Sequence, residues 1–175
     1  MDTPVKFQKF RDVMEEIKKT GSAIYEDPAG GEDLVILSPY KINYVHSYAE
    51  DSKFFLELAK GKLMGSICKK CKTKYGTPRG HCMECGSETE WLDLPLVGKV
   101  HSWTTCYFGS EEFLNETPFN LVVVEFEGVG TLFLSRLIGA KQEDIYTGMT
   151  VKANFRREPK YLVSDVYFTP ETQST

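Results

Sequence analysis

Five cysteines carry most of the chemistry that this sequence of 175 residues offers. Four of them form two C-x-x-C pairs, Cys68-Lys69-Lys70-Cys71 and Cys82-Met83-Glu84-Cys85, with ten residues between the pairs. A C-x-x-C turn presents two thiolates to one ion, and two such turns complete the tetrahedral shell that Zn²⁺ prefers. Gly86 follows the second pair and can take the left-handed conformation such a turn needs. Four thiolates leave no open position, so the zinc is expected to be structural. Two other chemistries use the same residues, an iron site of rubredoxin type and a redox-active thiol pair. The spacer is shorter than the roughly 15–20 residues of the commonest template, yet long enough for a hairpin that returns the chain.

A tetrathiolate zinc carries two negative charges, and Lys69, Lys70, Lys72 and Lys74 surround it in sequence. Softening that charge is their expected role. The same lysines with Tyr75 and Arg79 could instead form a nucleic-acid patch, against which stand the acidic Glu84, Glu88 and Glu90. The fifth cysteine, Cys106, is the one candidate nucleophile. His101 lies five positions away on an expected strand, and an odd separation puts the two on opposite faces. Cys106 is therefore read with Val100, Ser102 and Thr104 as part of a buried strand face. His46 and His81 have no spaced partner, and there is no Gly-rich phosphate loop, G-x-S-x-G elbow or convincing carboxylate pair. Nothing in the sequence is self-sufficient as an enzyme.

The elements that must position the cysteines can be read from periodicity and breakers. Helical spacing of Val5, Phe10, Val13, Met14 and Ile17 predicts a helix over Pro4–Lys19. A turn-rich stretch leads to a short strand at Leu34-Val35-Ile36-Leu37. A second helix is expected over Asp51–Lys60, capped by Asp51 or Ser52, with Phe54, Phe55 and Leu58 on its apolar side and Gly61 as its stop. Beyond Leu94 the pattern is β, with strands predicted at Gly98–Tyr107, Phe119–Phe126, Thr131–Leu137, Val151–Arg156 and Tyr161–Phe168. Glu127-Gly128-Val129-Gly130 supplies a hairpin turn, and a helical turn over Lys141–Tyr146 separates the third strand from the fourth. Five strands with that helical insertion suit an OB-type barrel. The resulting division is 1–47 as an N-terminal extension, 48–66 as a lead helix, 67–93 as a zinc ribbon, 94–170 as the OB-fold and 171–175 as a tail.

Hydrophobic residues make up 41% and charged residues 26%, the balance of a soluble globular protein. No apolar run reaches the roughly 18–20 residues of a membrane span, and no signal peptide is read at the start, so a cytoplasmic location is expected. A formal net charge of −4 becomes more negative once four thiolates and one Zn²⁺ are counted, which argues against nucleic acid as a partner.

At this level the chain resembles the acyl-CoA-associated family that joins a rubredoxin-like zinc ribbon to an OB-fold, domain of unknown function thirty-five. The likeness runs from about His46 to Phe168. It rests on Ser52-x-Phe54-Phe55, Leu58-Ala59-Lys60-Gly61-Lys62-Leu63, the four cysteines, Pro78-Arg79 and Trp91. In the barrel it rests on Gly98-x-Val100 with Thr104, Pro118-Phe119, Leu137-Ile138-Gly139 and Ile145-x-x-Gly148-Met149-x-Val151. Thr77 departs from it, standing where a second proline is usual, as does the N-terminal extension.

The resemblance implies an accessory subunit of a thiolase-fold enzyme that forms or cleaves a β-ketoacyl-CoA. A bridge between an acetoacetyl-CoA thiolase and a hydroxymethylglutaryl-CoA synthase is the variant of that reading. The ribbon would dock on the partner, the extension would wrap it, and the barrel would help hold CoA or its acyl chain. Candidate contacts for that ligand are Trp103, Tyr107 and Tyr161 as stacking surfaces, with Phe133 beside them, and Arg79, Arg136, Arg156, Arg157 and Lys160 for phosphates. Two other classes remain open from the residues, a nucleic-acid-binding ribbon/OB module and a stand-alone acyl-CoA binder.

Overall fold

The computed structural model describes residues 12, 15, 24–26, 34–36, 42–110 and 113–171. Most of the expected helix over Pro4–Lys19 lies outside these residues; Asp12 and Glu15 are helical and exposed. The chain divides into two units, one of residues 1–46 and 106–118, the other of residues 47–105 and 119–175. In the first unit β1 (Ile24–Glu26) pairs antiparallel with β2 (Leu34–Ile36), the strand read from sequence having found a partner that was not.

The second unit holds the helix, the three-stranded sheet and the barrel, apart from Cys106 at the end of one barrel strand. Its α-helix, α1 (Ser52–Leu58), buries Phe54, Phe55 and Leu58 as the spacing requires. Neither Asp51 nor Ser52 caps it through a side chain, because a 3₁₀ turn over Ala49–Asp51 runs directly into its first turn. Gly61 ends the helical stretch at φ +77°. A three-stranded sheet follows, with β3 (Met64–Cys68) between β4 (Lys74–Tyr75) and β5 (Thr89–Asp93).

The barrel strands are β6 (Val97–Cys106), β7 (Phe119–Glu125), β8 (Phe133–Leu137), β9 (Thr150–Phe155) and β10 (Val166–Pro170). They close in the order β10-β8-β7-β6-β9, with β10 parallel to β8 and antiparallel to β9. This is the five-stranded OB-type closure expected from the strand pattern, and a 3₁₀ turn over Gln142–Asp144 fills the predicted helical insertion. Alternate residues point inward and are completely buried, among them Val122 and Val124 on β7, Val151 on β9, and Val166 and Phe168 on β10. A run of aromatics carries the core outward to the helix: Phe126–Phe168 at 6.3 Å, Phe168–Phe133 at 6.4 Å and Phe133–Phe54 at 6.4 Å between ring centroids.

Two expectations are corrected here. The fifth strand begins at Val166 rather than Tyr161, because residues 161–165 are a turn wound around a buried carboxylate. Asp165 is 1% exposed, and its Oδ2 accepts the Lys160 and Leu162 N–H groups at 2.9 and 3.3 Å. Along β6 the inward phase slips. Val100 is buried, His101 and Ser102 are both exposed, and Trp103 is the next residue packed on the core. Cys106, at the end of β6, falls in the first unit and is half-buried.

Candidate metal centre

The two cysteine pairs sit on matching knuckles. In the first, Cys68 N–H donates to the Thr73 carbonyl and Lys72 N–H to the Cys68 carbonyl, at 2.9 and 3.2 Å. In the second, Cys82 N–H donates to Ser87 and Gly86 N–H to Cys82, at 2.8 and 2.9 Å. The fourth residue after each leading cysteine is left-handed, Lys72 at φ +63° and Gly86 at φ +71°. Gly86 meets the expectation from its position, whereas Lys72 holds the same conformation with a side chain.

The four sulfurs all lie within 4.8 Å of one another. Three separations are 3.4 Å (Cys71–Cys82), 3.5 Å (Cys68–Cys85) and 3.6 Å (Cys71–Cys85). A Zn–S length of about 2.3 Å in a tetrahedron puts sulfurs about 3.8 Å apart, so this cluster has the dimensions of a Zn(Cys)₄ shell. Cys68 and Cys82 are buried, and Cys71 and Cys85 are exposed. Among the described residues the metal-binding group is these four cysteines, and His81 is not part of it.

Donors surround the sulfurs. Lys70 and Cys71 N–H groups reach Cys68 Sγ at 3.3 and 3.4 Å, and Thr73 Oγ1 lies 3.1 Å from Cys71 Sγ. The Tyr75 hydroxyl is 3.2 Å from Cys82 Sγ and accepts the Met83 N–H at 3.0 Å. The O–H donated by Tyr75 is the main reason the Cys82 thiol is lowered to about 6, and the same bond raises the tyrosine. Ser87 lowers Cys85, and burial raises Cys68. Such outer contacts fix ligand orientation. Tyr75 is thus 3% exposed with its polar end on the metal shell, not a surface ring of a nucleic-acid patch. Lys69 is engaged with Glu88 at 2.6 Å.

The residues considered for CoA are distributed differently. Arg156, Arg157 and Lys160 share one turn, where with Glu158 and Pro159 they line an open cavity of about 420 Å³. Arg156 Nε faces Asp165 Oδ1 at 3.5 Å, an ion-pair separation without hydrogen-bond geometry. Arg157 and Lys160 are exposed on that turn. Tyr161 follows them at φ +57°, its carbonyl accepting the Tyr48 hydroxyl at 2.9 Å. The others lie elsewhere. Arg136 stacks over Phe119 at 4.3 Å, and Trp103 packs against the barrel core. Arg79 lies over Tyr75 at 5.6 Å and lines a cavity with Glu50, Asp51, Glu88 and Glu90. Tyr107, just past β6, belongs to the first unit and is half-buried. His101 Nδ1 is 3.2 Å from Glu125 Oε2, so its neighbour is a carboxylate rather than the Cys106 thiol.

A second feature escaped sequence reasoning. Phe54 and Phe55 of α1, Thr77 and Pro78 of the ribbon, Phe133 and Leu134 of β8, and Val163 line a largely apolar groove of about 360 Å³. Its residues come from four separate stretches, so no local pattern announced it.

With this geometry in place, comparison with known proteins becomes specific. A family model for the rubredoxin-like zinc ribbon domain of ChsH2 matches residues 57–90, and one for the C-terminal OB-fold domain of ChsH2 matches residues 91–156. A DUF35 domain-containing scaffold protein of Methanocaldococcus jannaschii is 33% identical over 97 residues, covering 54% of this chain and 68% of that protein. The chain belongs to the DUF35 family. A second DUF35 domain-containing scaffold protein, from Methanothermobacter thermautotrophicus, is 28% identical over 97 residues, covering 54% and 72% of the two chains. Among solved structures, a chain of an Ltp2-ChsH2(DUF35) aldolase matches with TM-score 0.59 and 24% identity, over 69% of this chain and 93% of that one. A DUF35 protein of unknown function from Sulfolobus solfataricus matches with TM-score 0.51 and 19% identity, over 94% and 98%. Those two likenesses concern the DUF35 fold, a zinc ribbon followed by an OB barrel.

Proposed function

We propose that this chain is a non-catalytic accessory subunit of a thiolase complex that forms or cleaves a β-ketoacyl-CoA. The observation that supports the reading is a cluster of four cysteine sulfurs within 4.8 Å of one another, the size of a closed metal shell, in a DUF35 chain whose relatives are named scaffold proteins. A closed shell gives a metal no position for substrate, so its zinc would supply rigidity rather than Lewis acidity. The partner would provide the nucleophile and the acid/base groups. The cytoplasm suits the assembly, since a reducing compartment keeps the four thiols available for metal.

On this reading the chain stabilises the partner and shapes its CoA site. Arg157 and Lys160 are the residues best placed to meet phosphates, being exposed on one turn three residues before the groove-lining Val163. Trp103, Arg136 and Arg156 would act on the ligand only indirectly, through the strands and the turn they stabilise. The test is reconstitution. The purified partner enzyme would be assayed for β-ketoacyl-CoA formation and thiolysis, with and without this chain. A clear fall in rate or stability without it is expected. A partner that ran at full rate and kept its stability alone would end the proposal.

A further inference from the structure

The segment Lys74–Pro78 faces the metal shell on one side and the barrel on the other. On the metal side, the Tyr75 hydroxyl joins Cys82 Sγ to the Met83 N–H. On the barrel side, the backbone on either side of Tyr75 is clipped to the β7–β8 connection. The Lys74 carbonyl accepts the Gly130 N–H at 2.9 Å, and the Gly76 N–H donates to Thr131 Oγ1 at 2.8 Å. Thr77 Oγ1 reaches the Leu132 carbonyl at 3.5 Å. The fit is close, because a Cβ on Gly76 would stand 3.0 Å from the Thr131 carbonyl oxygen and 3.5 Å from Val129 Cγ1. Immediately beyond the clip, Thr77 and Pro78 line the apolar groove together with Phe133 and Leu134.

We infer that Tyr75 is a positioning residue that couples the metal centre to the β7–β8 hairpin, so that metal occupancy and the position of residues 127–134 reinforce each other. The coupling runs through one buried side chain and the two peptide groups flanking it. With the shell filled, Cys82 is fixed as a ligand and holds the Tyr75 hydroxyl, which holds the backbone that the hairpin grips. When the shell empties, Cys82 is released, and the segment loses its anchor on the metal side while the rest of the barrel keeps its own ladder. Equilibrium coupling is reciprocal. Loosening the hairpin must therefore weaken metal binding by the factor by which losing metal loosens the hairpin. The groove shares this dependence, since Thr77 and Pro78 of the ribbon and Phe133 and Leu134 of the barrel both line it. None of this depends on the identity of the partner enzyme.

The experiment is hydrogen exchange by mass spectrometry on the full chain, zinc-loaded and chelator-stripped, alongside zinc competition with a chromophoric chelator. Stripping is expected to raise exchange in residues 127–134 while β9 and β10 keep their protection. Tyr75→Phe is expected to weaken zinc binding by about 10–100-fold, the range for an outer-shell partner, and to loosen the same hairpin amides in the zinc-loaded chain. Gly76→Val pushes from the barrel side and is expected to weaken zinc binding in proportion to the hairpin exchange it causes. In the cobalt-substituted chain, Tyr75→Phe should shift the thiolate-to-cobalt charge-transfer band, because a donor to sulfur is lost, whereas Gly76→Val should leave it in place. The inference is overturned by hairpin exchange indifferent to zinc, by either variant binding zinc like the parent, or by an unmoved band in Tyr75→Phe. Loss of protection throughout the barrel on stripping would equally overturn it, since zinc would then hold the whole fold rather than the hairpin.

Discussion

Asp165→Ala should destabilise the barrel, and its cost follows from three contacts. The carboxylate is 1% exposed, and Oδ2 accepts the N–H groups of Lys160 and Leu162. Removing that acceptor strands two part-buried donors, at about 1 kcal/mol each. Arg156 opposite Oδ1 is 43% exposed, so solvent screening limits that contribution to under about 1 kcal/mol. The total is about 2–3 kcal/mol, which with a urea m-value of about 2 kcal/mol/M moves the unfolding midpoint down by about 1–1.5 M. Equilibrium urea unfolding followed by tryptophan fluorescence measures it. Asp165→Asn keeps one acceptor oxygen and should recover more than half of the loss. A midpoint within about 0.3 M of the parent for Asp165→Ala, or an Asn variant as weak as the Ala variant, would show that the carboxylate does not hold this turn.

Further outcomes are expected from the same structure. The purified chain should carry one zinc, and Cys82→Ser should abolish its retention on gel filtration, as read by elemental analysis, because the residue is a buried ligand in a closed shell. Acid should release zinc at a higher pH from Tyr75→Phe than from the parent. The lost hydroxyl donor is what holds the Cys82 thiol down near 6, so protons displace metal sooner without it; equal release profiles would contradict this. Lys72→Gly should raise stability by about 0.5–1 kcal/mol, because Lys72 occupies the left-handed position that Gly86 fills in the other knuckle; a lower thermal midpoint would contradict it. Phe168→Ala, fully buried between Phe126 and Phe133, should cost about 3–5 kcal/mol in thermal or urea unfolding.

The sequence disclosed what depends on short-range pattern. The cysteine cluster was legible because C-x-x-C is a local device, and most of the barrel strands because burial alternates along them, the slip in β6 and the late start of β10 being the exceptions. The left-handed position of the second knuckle was legible because Gly86 marks it, while its counterpart Lys72 carries no such mark. What stayed hidden depends on residues far apart in the chain. Asp165 reads as an ordinary acidic residue near a strand, and only its burial beside the Lys160 and Leu162 N–H groups makes it end one turn and start β10. Trp103 was read as a stacking surface for a ligand, whereas a slip of phase at His101 and Ser102 puts it against the core. The arginines illustrate the same limit. Arg136 and Arg156 are each engaged by a partner from another element, and nothing in their neighbourhood in sequence says so. Tyr75 was legible as an aromatic beside the ribbon but not as a donor to Cys82, because the direction of a side chain at a knuckle is set by the folded sheet.

If this chain is the accessory subunit of a thiolase-fold enzyme, as proposed, native purification from its source followed by mass spectrometry will show what accompanies it. A near-stoichiometric thiolase-fold enzyme is the expected companion, and a hydroxymethylglutaryl-CoA synthase alongside it would favour the bridging form. Recovery of the chain alone, or with nucleic acid, would contradict the claim.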